Sequence, residues 1–123
     1  MYNRAALSGH ARAQSQLGVA YQFGKFNQTI DDVEALKWYR QAAEGGDGYA
    51  QWRLGVAYNE GALGLLTDED EALKWYREAA KGGNGYAQRR LGVPFEKGEF
   101  GVEIDLAAAR AFYQAAESAD HKA

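Results

Sequence analysis

The sequence predicts an all-α fold, a superhelical solenoid of three antiparallel helix pairs preceded by a partial helix. Three observations predict it. One pattern recurs at a fixed spacing of 37 residues: Ala13, Ala50 and Ala87; Leu17, Leu54 and Leu91; Gly18, Gly55 and Gly92; Asp31, Asp68 and Asp105; and Trp38-Tyr39, Trp75-Tyr76 and Phe112-Tyr113. A period of this size marks stacked supersecondary units, not a closed domain around a buried catalytic centre. Within each unit the apolar residues fall at helical spacing, and glycines and aspartates punctuate them where helices stop and start. On this pattern residues 1–10 are the end of a second helix from a preceding repeat. The complete repeats are 11–46, 47–83 and 84–123, the last with a C-terminal cap.

The middle repeat justifies its elements in order. Ala50, Leu54, Ala57, Tyr58 and Gly61 lie on one helix face. Gly55 costs about 1 kcal/mol of helix propensity, and its recurrence points to a second helix that must approach closely. Gly61 ends this helix. The loop from Ala62 to Thr67 contains Gly64, matched by Gly101 and Asn27, which predicts one left-handed residue in each loop. The second helix starts at Asp68, whose spacing to Glu71 is that of a capping box, as is that of Asp31 to Glu34. Ala72, Trp75, Tyr76, Ala79 and Ala80 form its buried stripe, and Gly82-Gly83 ends it.

Composition narrows the functional classes. A net charge of -3 argues against a general nucleic-acid or anionic-membrane binder. No apolar run approaches the length of a membrane span, and the first residues lack the apolar core of a signal peptide. The chain has no Cys and only His10 and His121, so it lacks the parts for a thiolate zinc site or a Cys/His nucleophile pair. No cofactor or metal is expected, and the cytoplasm is the default location. The acids near the loops, Glu60, Asp68, Asp70 and Glu99, form no constellation beyond capping and solvation. The glycines match no phosphate-binding loop.

These residues resemble the Sel-one-like repeat (SLR) family, relatives of the tetratricopeptide repeats. The family pattern A-x-x-x-L-G-x-x-Y-x-x-G, a loop, then D-x-x-x-A-x-x-W-Y-x-x-A-A-x-x-G is met by Ala50, Leu54, Gly55, Tyr58, Gly61, Asp68, Ala72, Trp75, Tyr76, Ala79, Ala80 and Gly83. The first repeat meets it too, from Ala13 and Leu17 through Trp38-Tyr39 to Gly46. The resemblance implies a right-handed superhelix with an inner surface that binds proteins or peptides, and a role as adaptor or scaffold.

The third repeat departs from the pattern. Arg110 replaces Leu36 and Leu73, and Glu117 replaces Ala43 and Ala80, which makes polar the face that would meet a further repeat, as a cap requires. Pro94 stands where Ala20 and Ala57 stand, and predicts a distorted turn around residues 90–97. Ala115-Ala116 sit one residue earlier than the period predicts for that pair, leaving the register of the last helix open. At the other end, the first complete helix, Ala11 to Phe23, lacks a full upstream neighbour. Its exposed apolar surface suits either a homodimer through this edge or a longer array.

A second stripe on each first helix, away from the Leu stripe, marks the candidate site. It carries Arg12, Ser15, Val19 and Gln22 in the first repeat, Tyr49, Trp52, Val56 and Asn59 in the second, and Tyr86, Arg89, Val93 and Glu96 in the third. Trp52 and Arg89 are not repeated, so the shared stacking does not require them, and Trp, Tyr and Arg are enriched at binding hot spots. The expected function is a non-enzymatic interaction module whose groove centres on Tyr49, Trp52, Tyr86 and Arg89. With Arg12, Arg53, Arg89 and Arg90 on first helices, an acidic protein or peptide partner is expected. The alternatives are a self-associating structural module and an enzyme accessory domain.

Overall fold

The computed structural model describes residues 4–120. Six helices follow in order: α1 (Arg4–Phe23), α2 (Asp32–Glu44), α3 (Gly48–Glu60), α4 (Glu69–Lys81), α5 (Gly85–Lys97) and α6 (Leu106–Asp120). Each packs on its sequence neighbours, most extensively within the pairs α1–α2, α3–α4 and α5–α6. This nearest-neighbour pattern is that of a solenoid.

The caps show why the helices begin where they do. The Asp31 carboxylate accepts from the amides of Val33 and Glu34, and that of Asp68 from Glu71. Only half of the expected capping box forms. The amides of Asp31, Asp68 and Asp105 donate to the carbonyls of Tyr21, Tyr58 and Phe95, at 2.9, 2.9 and 2.8 Å. The glutamate of the box therefore has no free donor to reach back to, and the same bonds tie each second helix to the first helix of its pair.

Each loop has its expected left-handed residue, and with the glycine that ends the preceding helix and one further residue each connection carries three. These are Gly24, Phe26 and Asn27 in the first, Gly61, Leu63 and Gly64 in the second, and Gly98, Phe100 and Gly101 in the third. A non-glycine residue there costs about 1–2 kcal/mol. Burial of Leu63 in the core between α2 and α3 offsets that cost, as does packing of Phe100 against the next core cluster.

Each helix pair closes through its glycine. A Cβ on Gly55 would lie 2.6 Å from Cδ1 of Tyr76, and one on Gly18 would lie 2.7 Å from Cδ1 of Tyr39. On Gly92 it would lie 2.5 Å from Cε1 of Tyr113. The tyrosine ring of each second helix thus rests on the bare backbone of the first. Tyr39 and Tyr76 are fully buried with Leu54 and Leu91. The Trp beside each tyrosine is only half-buried, and a lysine covers it: Lys37 lies 5.3 Å from the Trp38 ring, and Lys74 lies 5.0 Å from that of Trp75.

Three sequence expectations need correction. Pro94 does not break its helix: α5 runs unbroken from Gly85 to Lys97 and ends at Gly98 in the left-handed conformation, as α3 ends at Gly61. Pro94 is buried at a position where Ala20 and Ala57 are also buried, so packing holds the helix through the missing donor. Pro94→Ala should therefore raise stability by about 1–2 kcal/mol, less than the full ~3 kcal/mol propensity difference because the ring's burial is lost. Urea denaturation measures it.

Residues 4–10 do not form a separate helix; they are the first part of α1, with no break before Ala11. Between the later repeats, Gly45-Gly46-Asp47 and Gly82-Gly83-Asn84 turn the chain, with Gly46 and Gly83 left-handed and Asp47 and Asn84 capping the next helix. Ser8-Gly9-His10 stands there in the first case and lacks the Asp or Asn cap. The 37-residue period aligns Met1-Tyr2 with Trp38-Tyr39, and Met1-Tyr2 lie outside the described residues. Leu17, expected in the core stripe, is 37% exposed, against 1% for Leu54 and 0% for Leu91; among the described residues α1 packs mainly on α2, whereas α3 and α5 each pack between two second helices.

The register of α6 is regular. Ala116 is buried as Ala42 and Ala79 are, while Arg110 and Glu117 are exposed.

Candidate protein-interaction groove

The turns between repeats set the first residues of α3 and α5, and with them the candidate site. Asp47 and Asn84 cap these helices by accepting from the amides of Ala50 and Ala87, both at 2.9 Å. This fixes Tyr49 and Tyr86 in the first turns, where both remain exposed. Trp52, one turn on from Tyr49, stacks on Tyr86 with ring centroids 4.9 Å apart and planes 28° apart. Tyr49 meets Trp52 at 5.8 Å in a tilted contact. The three rings form one aromatic ledge spanning two repeats.

Beside the ledge runs an open groove of about 490 Å³ between α3 and α5. It brings together Trp52, Val56, Asn59, Tyr86 and Arg89, five of the residues expected to line it. Tyr49 joins through its contact with Trp52. Arg12 and Ser15 do not join. Arg12 is exposed on α1 and does not line this groove. Ser15 is buried, at 4% exposure, where Trp52 and Arg89 project from the later repeats.

Val93, on the same stripe, lines the groove too, and Arg53, Arg90, Tyr76 and Glu60, which lie off the stripe, also line it. The available signal was that Arg53 and Arg90 are 37 residues apart. Arg53 donates to Oε1 of Gln22 at 2.9 Å, and the Tyr39 hydroxyl donates to the same oxygen at 2.7 Å. The Arg53 guanidinium also lies 5.3 Å from the Trp52 ring and 5.5 Å from Phe23. Arginines are thus anchored at the base of the aromatic ledge, and Arg89 adds a third cation. Glu60 is the acid in the lining of this groove.

Burial pushes the Tyr39 phenol up to about 12, although Arg53 beside it opposes the shift. Burial also raises the phenols of Tyr76, opposed by Arg90, and of Tyr113. A phenol whose pKa is higher in the folded state contributes stability that is complete below its unfolded value of about 10. That contribution falls as pH rises from there toward 12, because the unfolded chain loses the proton first. Stability should therefore decline steeply between these values, and Tyr39→Phe should flatten the decline. Denaturation midpoints at a series of alkaline pH values check this.

Among the described residues no group of three or more His, Asp or Glu side chains converges as a metal site would require, and no helix is long and apolar enough to cross a membrane.

The Sel1 repeat profile matches residues 11–47, 48–84 and 85–121. The chain belongs to the Sel1 repeat family. Among solved structures, a Sel1 repeat protein from Oxalobacter formigenes superposes with a TM-score of 0.81 at 40% sequence identity, over 90% of this chain and 81% of that one. A protective antigen of uropathogenic Escherichia coli with an SLR fold superposes with a TM-score of 0.79 at 36% identity, over 93% of this chain and 24% of that one. No protein with a curated description matches the chain. Sel1 repeats are generally protein–protein interaction modules, and here the second and third repeats carry the aromatic ledge on their first helices, α3 and α5.

Proposed function

We propose that this Sel1-repeat chain is a non-enzymatic adaptor that binds an extended or helical peptide segment of a partner in the groove between α3 and α5. The observation that carries the reading is the ledge of Tyr49, Trp52 and Tyr86 beside Arg53, Arg89 and Arg90. Partly exposed aromatics give a ligand apolar area at low entropic cost, and a cluster of guanidiniums favours carboxylates. The bound segment therefore carries Asp or Glu next to an apolar or aromatic residue. Salt should weaken binding, since these charges are open to solvent.

Affinity capture from a lysate of the source cell tests the reading, comparing the wild-type chain with Trp52→Ala/Arg89→Ala after circular dichroism shows that both fold. A protein retained by the wild type and lost by the variant supports the groove. Equal retention by both places binding elsewhere. The exposed Ala13–Leu17 face of α1 supports a second reading, self-association through that edge. Light scattering over a concentration series tests it, and a strict monomer removes it.

A further inference from the structure

Five positions on one side of the third repeat change together. Glu71, Lys74 and Glu78 of α4 correspond to Ala108, Ala111 and Ala115 of α6; Trp75 corresponds to Phe112, and Tyr58 to Phe95. The fold does not require these changes. The first repeat carries Glu34, Lys37, Trp38 and Gln41 on the same side of α2, and α2 and α4 form with those residues in place.

The result is a second groove, of about 550 Å³, where α4, α5 and α6 meet. Leu91, Phe95 and Phe112 form its floor, and the three alanines of α6 line one wall. It lies across α5 from the Trp52 groove. At 100° per residue, Gln88, Leu91 and Phe95 fall opposite Tyr86, Arg89 and Val93. In the first two repeats a lysine covers the corresponding Trp. Ala111 provides no such cover, and Phe112 instead stacks on Phe95 at 5.6 Å along the groove floor. Arg77 and Lys81 line the α4 side. Arg40, the counterpart of Arg77, donates to the Tyr58 hydroxyl at 3.1 Å, whereas Phe95 offers Arg77 no acceptor.

We infer that this groove is a second docking site, whose occupant is an amphipathic helix of a partner protein with a carboxylate beside its apolar stripe. Ala108, Ala111 and Ala115 recur at i, i+3 and i+7, the spacing at which one helix receives another, and their small side chains admit a close axis. The phenylalanine floor accepts the helix's apolar residues. Arg77 and Lys81 favour a carboxylate on the α4 side. A second copy of this chain fits poorly: its exposed apolar helix, α1, contains no Asp or Glu.

The test is fluorescence polarisation on the full chain with a labelled, stapled synthetic helix carrying leucines at i, i+3 and i+7 and glutamates on one flank. The wild type should bind it. Ala108→Glu/Ala111→Lys, which installs the residues of the second repeat, should weaken binding by about tenfold or more, roughly 1.4 kcal/mol, with the circular dichroism spectrum retained. Arg77→Gln should weaken binding of the glutamate helix but not of the same helix with glutamine in place of glutamate. Trp52→Ala should leave binding unchanged, which separates this site from the groove of the proposed adaptor function. Failure of the wild type to bind, equal binding by the double variant, or self-association abolished by that variant would each overturn the proposal.

Discussion

Gly55→Ala is expected to lower stability by about 1–3 kcal/mol, the range for overpacking a filled core. On helix propensity alone the change should help by about 1 kcal/mol, so the expected sign is opposite to the one a surface helix would give. The reason is the 2.6 Å approach that a Cβ at position 55 would make to the Tyr76 ring. That ring is buried and cannot swing away. Tyr76→Ala alone should cost about 3–5 kcal/mol, as removal of a large buried ring does. In that background the obstacle is gone, and Gly55→Ala should become neutral or stabilising. Urea denaturation of the two single variants and the double variant measures the coupling, which should be large because the residues touch. A destabilising Gly55→Ala in both backgrounds would show that the glycine serves something other than the ring.

Trp52→Ala is expected to weaken binding of the partner segment by about 2–4 kcal/mol, or roughly 30-fold to 1000-fold. Trp52 is the ring that both Tyr49 and Tyr86 contact, and the Arg53 guanidinium lies 5.3 Å from it. Its loss removes the centre of the ledge and frees the rings on either side. The stability cost should be smaller, about 1 kcal/mol for the lost aromatic pairing, since Trp52 is only half-buried at the edge of its core cluster. Isothermal titration with a captured partner segment, beside thermal melts of the free protein, separates the two effects. An equal fall in both would make Trp52 a packing residue.

The parts of the fold that were legible in the sequence are those every repeat shares. Gly18, Gly55 and Gly92 recur because each carries a tyrosine ring, and Asp31, Asp68 and Asp105 recur because each starts a helix. What misled was context that a single position does not carry. Pro94 predicts a distorted turn, yet α5 continues through it to Lys97 with the ring buried. Leu17 matches two core leucines but is exposed among the described residues, since α1 packs there mainly on α2. Leu63 and Phe100 give no local sign of left-handed backbone, because their tertiary packing offsets its cost.

The site was half legible for a related reason. Trp52 and Arg89 stood out because they break the repeat, and the structure brings both to one groove. Arg53 and Arg90 lie off the stripe and entered the reading only as first-helix arginines that favour an acidic partner. They serve both roles, anchoring against Gln22 or Tyr76 while lining the groove. Ser15 shared the stripe by spacing alone and proved buried.

The most direct test of the groove is chemical-shift mapping of the isotope-labelled chain with a captured acidic partner segment. The account predicts that the largest shifts fall on Trp52, Val56, Tyr86, Arg89 and Val93, and that added salt reduces them together. Shifts confined to the exposed faces of α2 and α4, with the Trp52 indole unmoved, would contradict it.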